Sequence, residues 1–114
     1  MEKYLNSMLV YNKTIVEQPI KLESLAKKLT DKSVEFLENY NANVDSAKEE
    51  MRNSQAQKPF ALFHSFSNVH TPLVTGNEFK GKAPGIHGAY GDSVMEMDHQ
   101  VIILSNVALM HFCM

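Results

Sequence analysis

The sequence has 114 residues, which fits one small domain or part of a larger one. Hydrophobic residues make up 44% of it, which argues against wholesale disorder, and the net charge of -2 with scattered lysines and arginines argues against a nucleic-acid binder. The single cysteine, Cys113, excludes an internal disulfide bond. The most apolar stretch, residues 101–114, is too short for a membrane span, and nothing in the pattern sets an oligomeric state.

The first half of the chain predicts one helix between irregular segments. Residues 1–18 show no sustained period, and Gln18 before Pro19 favours a loop or a short strand. From Leu22 to Tyr40 the apolar residues recur at steps of three and four, which predicts an amphipathic helix. Residues 41–58 are polar and predict a surface loop or a poorly anchored helix.

The second half predicts a strand, a loop and a second helix. The apolar run from Phe60 to Phe66 is typical of a strand that is covered on both faces, which together with the preceding helix indicates an α/β fold. A glycine-containing loop follows to about residue 91. A helix is then expected to begin near Asp92 and Ser93, where Ser93 and Glu96 fit a capping box and Asp92 is an alternative cap.

His70 is the candidate functional residue, because it follows the carboxyl end of the predicted strand, where ligands collect in open α/β sheets. An imidazole there could donate a hydrogen bond to an anion or a proton to a leaving oxygen. By position alone, a structural role for a single loop histidine is the simpler interpretation. Asp92, Glu96 and Asp98 could form a catalytic carboxylate cluster, but their place at a helix start favours capping.

No metal site is predicted from these residues. The five histidines lack the close spacing of a zinc site, and the single cysteine is far from most of them. These histidines are His64, His70, His87, His99 and His111.

Several segments, in order, carry a family resemblance. Residues 58–73, KPFALFHSFSNVHTPL, resemble the sulfatase pattern of Pro-Phe, an apolar strand and His-Val-His-Thr-Pro. Residues 87–98, HGAYGDSVMEMD, are similar to that family's Gly-x-Tyr-Gly-Asp-x-Val-x-Glu-Met-Asp segment, and residues 8–19 are similar to the steryl-sulfatase branch of the arylsulfatases. We therefore expect residues 1–101 to be a fragment of a sulfatase catalytic domain, with a polar insertion at 41–57 and a divergent apolar tail at 102–114.

The resemblance implies an alkaline-phosphatase-like α/β fold and the hydrolysis of sulfate esters. It implies that His70 binds the substrate and acts in catalysis by contacting the ester near its leaving oxygen. Asn68 stands where the family has its first histidine; it can donate a hydrogen bond but cannot titrate. In the family the nucleophile is a formylglycine made from cysteine, and a divalent cation, usually calcium, neutralises the sulfate.

The family's remaining catalytic parts are missing from this sequence. It has no Cys-x-Pro-x-Arg segment, no paired aspartates near its start and no Asp-Asn or Asp-Gln with a nearby lysine. We therefore expect the chain alone to be inactive and to bind no calcium. The alternative is a non-catalytic, sulfatase-derived polypeptide that acts as an interaction partner.

The resemblance also implies a location. Family members lie in the endoplasmic reticulum or lysosome or are secreted, whereas no signal peptide opens this sequence. Asn12 begins an Asn-Lys-Thr sequon, which is a glycosylation site only if the parent protein enters the secretory route.

Overall fold

A β-hairpin opens the described part of the chain. The computed structural model describes residues 7–50 and 59–112. β1 (Leu9–Tyr11) pairs antiparallel with β2 (Thr14–Glu17), and the two strands form a two-stranded sheet. Asn12, in the connecting turn, has a left-handed φ of 55°, which asparagine tolerates better than most residues. The sequence predicted a loop or short strand near Gln18, and the observed strand ends one residue earlier.

α1 (Leu22–Glu50) begins at the predicted residue and is longer than predicted. Its buried positions, Ala26, Thr30, Ser33 and Leu37, follow the helical spacing of four, three and four. The helix continues through residues 41–50, where alanine, glutamate and lysine are good helix formers. Of the two predictions for this polar region the helix is therefore confirmed as far as Glu50; residues 51–58 lie outside the described residues.

Among the residues that the structure describes, an ion pair joins the hairpin to α1. The Lys28 ammonium donates to the Glu17 carboxylate, which is only partly exposed, and this contact lowers the pKa of Glu17. The pairs Lys27–Asp31 and Lys32–Glu35 lie within α1 on its exposed surface and contribute little to stability.

The predicted buried strand from Phe60 to Phe66 is wrong for this structure. The segment is irregular and pairs with no strand among the described residues, and Phe63 is 92% exposed. An apolar run becomes a strand only where a neighbouring strand takes up its backbone hydrogen bonds. The segment instead packs on α1: the Phe60 ring meets the rings of Phe36 and Tyr40 edge-on, with centroids 5.4 and 4.4 Å away.

α2 (Gly88–Phe112) follows a short 3₁₀ helix (Gly85–His87) and begins four residues before the predicted start. It runs without a break through the predicted tail at 102–114 as far as Phe112, so this part of the tail is helical; Cys113 lies outside the described residues. Within the described residues, no helix has the length and apolar character needed to cross a membrane.

α1 and α2 pack against each other around a small and mostly polar interior. Among the described residues, only Ala26 and Leu37 are buried hydrophobic residues. The buried polar residues are more numerous: Thr30, Ser33, Thr75, Asp92, Ser93, Glu96 and Gln100. The structure is an α/β piece of two strands and two helices, and its packing depends heavily on hydrogen bonds.

The burial pattern predicts a large loss of stability for one apolar substitution and almost none for another. Leu37→Ala removes one of the few buried apolar side chains and is expected to lower the free energy of unfolding by about 2–4 kcal/mol. Phe63→Ala changes an exposed side chain and is expected to alter it by less than about 0.5 kcal/mol. Urea unfolding followed by circular dichroism measures both values. A larger loss for Phe63→Ala than for Leu37→Ala would support the buried strand instead.

Candidate functional site

His70 lies on an exposed loop between the Phe60–Phe66 segment and α2. Its ring nitrogen Nδ1 lies 2.7 Å from the carbonyl oxygen of Thr71. A carbonyl oxygen only accepts, so Nδ1 carries the hydrogen, and Nε2 is the lone-pair nitrogen of the neutral ring. Protonation of the ring would turn Nε2 into a second donor, which suits an anionic ligand.

The residue before His70 has an uncommon backbone conformation. Val69 has a left-handed φ of 62°, which is unfavourable for a β-branched residue and persists only when surrounding contacts hold it. Its backbone N–H donates to Ser93 Oγ over 2.8 Å, and Ser93 is only 1% exposed. α2 therefore holds the backbone directly before His70. The Thr71–Pro72 bond that follows is cis.

Glu96 holds the same loop at two points. Its Oε2 accepts from Asn68 Nδ2 over 2.9 Å, and its Oε1 accepts from the backbone N–H of Gly76 over 3.0 Å. The carboxylate is buried, and burial raises the pKa of Glu96 although both hydrogen bonds act in the opposite direction. Asn68, in the place of the family's first histidine, thus still donates a hydrogen bond within the site.

Asp92 holds a later part of the loop. Its two carboxylate oxygens accept from the backbone N–H groups of Gly81 and Ala83, each over 2.8 Å. These hydrogen bonds hold the pKa of Asp92 below its usual value. The neighbouring Gly91 has no room for a side chain, since a Cβ there would lie 2.6 Å from His87 Cβ and 2.7 Å from Ala83 Cβ.

The predicted capping role of Asp92, Ser93 and Glu96 is wrong. α2 begins at Gly88, so these residues lie beyond its first turn, and their side chains accept hydrogen bonds from the loop instead of from the helix's own N–H groups. A shift of four residues in the helix start turns the predicted caps into interior positions on one face. The spacing 92, 93, 96 and 100 of polar residues was the sequence signal for this face.

The described residues contain no group of three or more His, Cys, Asp or Glu side chains that could hold a metal ion. The Asp92 and Glu96 oxygens accept from N–H donors of the loop, so they do not fit a cation site.

The other histidines have different surroundings from His70. His64 shares a 2.8 Å hydrogen bond with Ser33 Oγ, and burial lowers its pKa, so it is a packed, hydrogen-bonded residue. His99 packs against the Phe79 ring, and His87 is exposed. The side chain of His111 lies outside the described residues.

The chain is similar to sulfatases along most of its length. It is 35% identical to human arylsulfatase H over 96 residues, 34% identical to human steryl-sulfatase over 97, and 37% identical to human arylsulfatase D over 93. These matches cover 82–85% of this chain and only 13–14% of each relative's length. This stretch of chain is a sulfatase-family segment. No family model and no solved structure matches it.

Membership in the sulfatase family agrees with the resemblance seen in the sequence and indicates an alkaline-phosphatase-like parent fold. The structure brings Asn68, Asp92, Ser93 and Glu96 together around the loop that carries His70. The role of His70 in a sulfatase stays a prediction, and so does glycosylation of Asn12, which lies exposed in the hairpin turn.

The lowered pKa of Asp92 predicts a pH-dependent contribution to stability. Because the folded-state pKa lies below the unfolded value, this contribution is present above the unfolded value of about 3.8 and is lost as the pH falls through the folded value. Asp92→Asn is therefore expected to lower Tm near neutral pH, with a difference from the unsubstituted chain that shrinks on acidification. Thermal unfolding over a pH series measures this effect.

Asp98→Asn, at an exposed position of the same helix, is the matched control for that experiment. A Tm loss for Asp92→Asn that stays constant down to strongly acidic pH would contradict the assigned hydrogen bonds.

Proposed function

We propose that this segment belongs to a sulfatase that hydrolyses sulfate esters, and that its role there is to present His70 to the ester near the leaving oxygen. The observation that carries the proposal is the exposed imidazole of His70 on a loop whose preceding backbone is fixed to α2. The similarity to arylsulfatases and steryl-sulfatase over most of the chain supports the reaction class.

The chemistry asked of His70 is proton donation. In hydrolysis of a sulfate ester an attacking oxygen forms a bond to sulfur, the bond between sulfur and the alkyl or aryl oxygen breaks, and negative charge develops on that leaving oxygen. A protonated His70 would donate from Nε2, since Nδ1 already donates to the Thr71 carbonyl. The same contact fixes the orientation of the ring before substrate arrives.

The nucleophile and the cation would come from outside these residues. We propose a formylglycine nucleophile and a calcium ion, as the family resemblance implies. The cation would supply charge neutralisation for the sulfate. Neither group can be built from the described residues, and the printed sequence has no Cys-x-Pro-x-Arg segment. The 114 residues alone are therefore proposed to be inactive.

The proposed setting is the endoplasmic reticulum, the lysosome or the extracellular space. The hairpin turn is accessible in this structure, as an N-linked glycan on Asn12 requires.

The proposal predicts selective binding without turnover. The purified chain, incubated with an aryl sulfate and calcium, is expected to show no hydrolysis above a His70→Ala control, because it lacks the nucleophile. In a ¹⁵N-histidine-labelled sample, the same aryl sulfate is expected to shift the imidazole signals of His70 and to leave those of His87 and His99 nearly unchanged. Nuclear magnetic resonance measures each ring separately.

The histidines of the chain serve as internal controls. His87 is exposed like His70 but is the last residue of the 3₁₀ helix, and the loop hydrogen bonds to Ser93 and Glu96 come from Asn68, Val69 and Gly76 instead. Equal shifts at all exposed histidines, or none at His70, would contradict the proposal and favour a non-catalytic interaction partner. Calcium-dependent hydrolysis that His70→Ala abolishes would also overturn it, because the chain would then need no outside nucleophile.

A further inference from the structure

We propose that Glu96, together with Ser93, is a positioning residue for His70: hydrogen bonds from the loop to these two side chains fix the backbone on both sides of the imidazole. We name this set of contacts the α2 clasp. It consists of Asn68 Nδ2 and Gly76 N donating to Glu96, and Val69 N donating to Ser93 Oγ. Its consequence for substrate rests on the function proposed above, whereas its existence does not.

The contacts of the clasp lie both before and after His70 in the sequence. Asn68 and Val69 are the two residues before His70, and Gly76 follows six residues later. The ends of this short stretch are therefore attached to the same turn of α2, because Ser93 and Glu96 lie three residues apart on one helix face. A loop fixed at both ends has far fewer conformations than a loop fixed at one.

Burial makes the clasp hard to release. Ser93 is 1% exposed and Glu96 is 3% exposed, so neither side chain can exchange its loop partners for bulk water without opening the packing. A buried acceptor that loses its donor keeps the full cost of desolvation. The hydrogen bonds at Asn68, Val69 and Gly76 therefore form together with the packing of the loop on α2.

Two backbone features fit this role. Val69 has a left-handed conformation that an isolated valine avoids, and its N–H is the group that Ser93 binds. At Gly76 a Cβ would lie 3.0 Å from Glu96 Oε1, which is tighter than ordinary contact, so the absence of a side chain lets the backbone approach the carboxylate.

Asp92 provides a matched comparison within the same helix. It is also a buried carboxylate, and it accepts two loop N–H groups, but these belong to Gly81 and Ala83, well after His70. Loss of Asp92 should loosen the distant part of the loop and leave His70 in place. A general loss of stability would instead affect both parts.

The amide of Asn68 offers a conservative rescue. Its Oδ1 is buried and has no hydrogen-bond partner among the described residues. In Glu96→Gln, the new carbonyl oxygen can still accept from Gly76 N, and the new NH₂ can donate to Oδ1 if the Asn68 amide turns over. Glu96→Gln should therefore keep both contacts, whereas Glu96→Ala loses both.

Hydrogen exchange of individual amides in the full chain tests the clasp directly and needs neither substrate nor turnover. The amides of Val69 and Gly76 should be protected in the unsubstituted chain. Ser93→Ala should speed exchange at Val69, and Glu96→Ala should speed exchange at Gly76, each by about tenfold or more. In both variants the amides of Gly81 and Ala83 should keep their protection. Asp92→Asn should instead speed exchange at Gly81 and Ala83 and leave Val69 and Gly76 protected.

The ¹⁵N spectrum of the His70 ring supplies a readout that a purely structural role would not change. The unsubstituted chain and Glu96→Gln should show one tautomer with hydrogen on Nδ1, whereas Glu96→Ala should show the tautomer mixture of the exposed His87. Exchange of the Val69 and Gly76 amides at unstructured-peptide rates in the unsubstituted chain would overturn the inference. So would an equal His70 change in Asp92→Asn, or Glu96→Gln behaving as Glu96→Ala.

The two proposals fail separately. An intact clasp with no aryl sulfate response at His70 would remove the proposed function and leave the positioning of the loop. A selective response at His70 that persists unchanged in Glu96→Ala would support the proposed function and overturn the positioning role.

Discussion

The buried carboxylate of Glu96 links the two parts of the chain that carry the family resemblance. One carboxylate oxygen accepts a hydrogen bond from the Asn68 side chain, just before His70, and the other accepts one from the backbone N–H of Gly76, later in the same loop. Because Glu96 lies on α2, the position of the loop follows the position of that helix. Ser93 adds the contact to Val69, and Asp92 extends the same arrangement to Gly81 and Ala83.

This dependence on polar contacts follows from how little apolar surface is buried. Ala26 and Leu37 are the buried hydrophobic residues in the described part of the chain, whereas exposed apolar side chains occur on the hairpin, on the Phe60–Phe66 segment and along α2. Apolar burial is normally the dominant favourable contribution to folding, and hydrogen bonds chiefly select the arrangement. The segment spans 14% of the length of human arylsulfatase H, and exposed apolar surface of this kind is typical of faces that contact other protein.

The sequence predicted those features that depend on local pattern. The period of three and four from Leu22 located α1, because its buried face lies against α2 within this chain. The strand from Phe60 to Phe66 failed because a strand requires partners that the described chain does not supply. The capping assignment failed because α2 begins four residues earlier and includes Gly88 and Gly91, although glycine is an unfavourable residue in a helix.

The candidate site was only partly visible in the sequence. His70 was singled out by its place after the predicted strand and by the resemblance of its segment to a sulfatase motif, and no local pattern indicated that Asn68, Ser93 and Glu96 would meet beside it. Their contacts join residues 24 to 28 positions apart, which depends on the packing of the loop on α2. The left-handed Val69 is likewise a tertiary effect, because nothing in its own side chain favours that conformation.

A graft into a complete relative tests the central claim most directly. The matched 97 residues of human steryl-sulfatase would be replaced by those of this chain, and kcat/KM for a steryl sulfate would be measured with and without His70→Ala. The account predicts that the graft hydrolyses the ester and that His70→Ala lowers kcat/KM by about a hundredfold or more, while His87→Ala has little effect. A folded graft that is inactive, or one that stays equally active after His70→Ala, would contradict it.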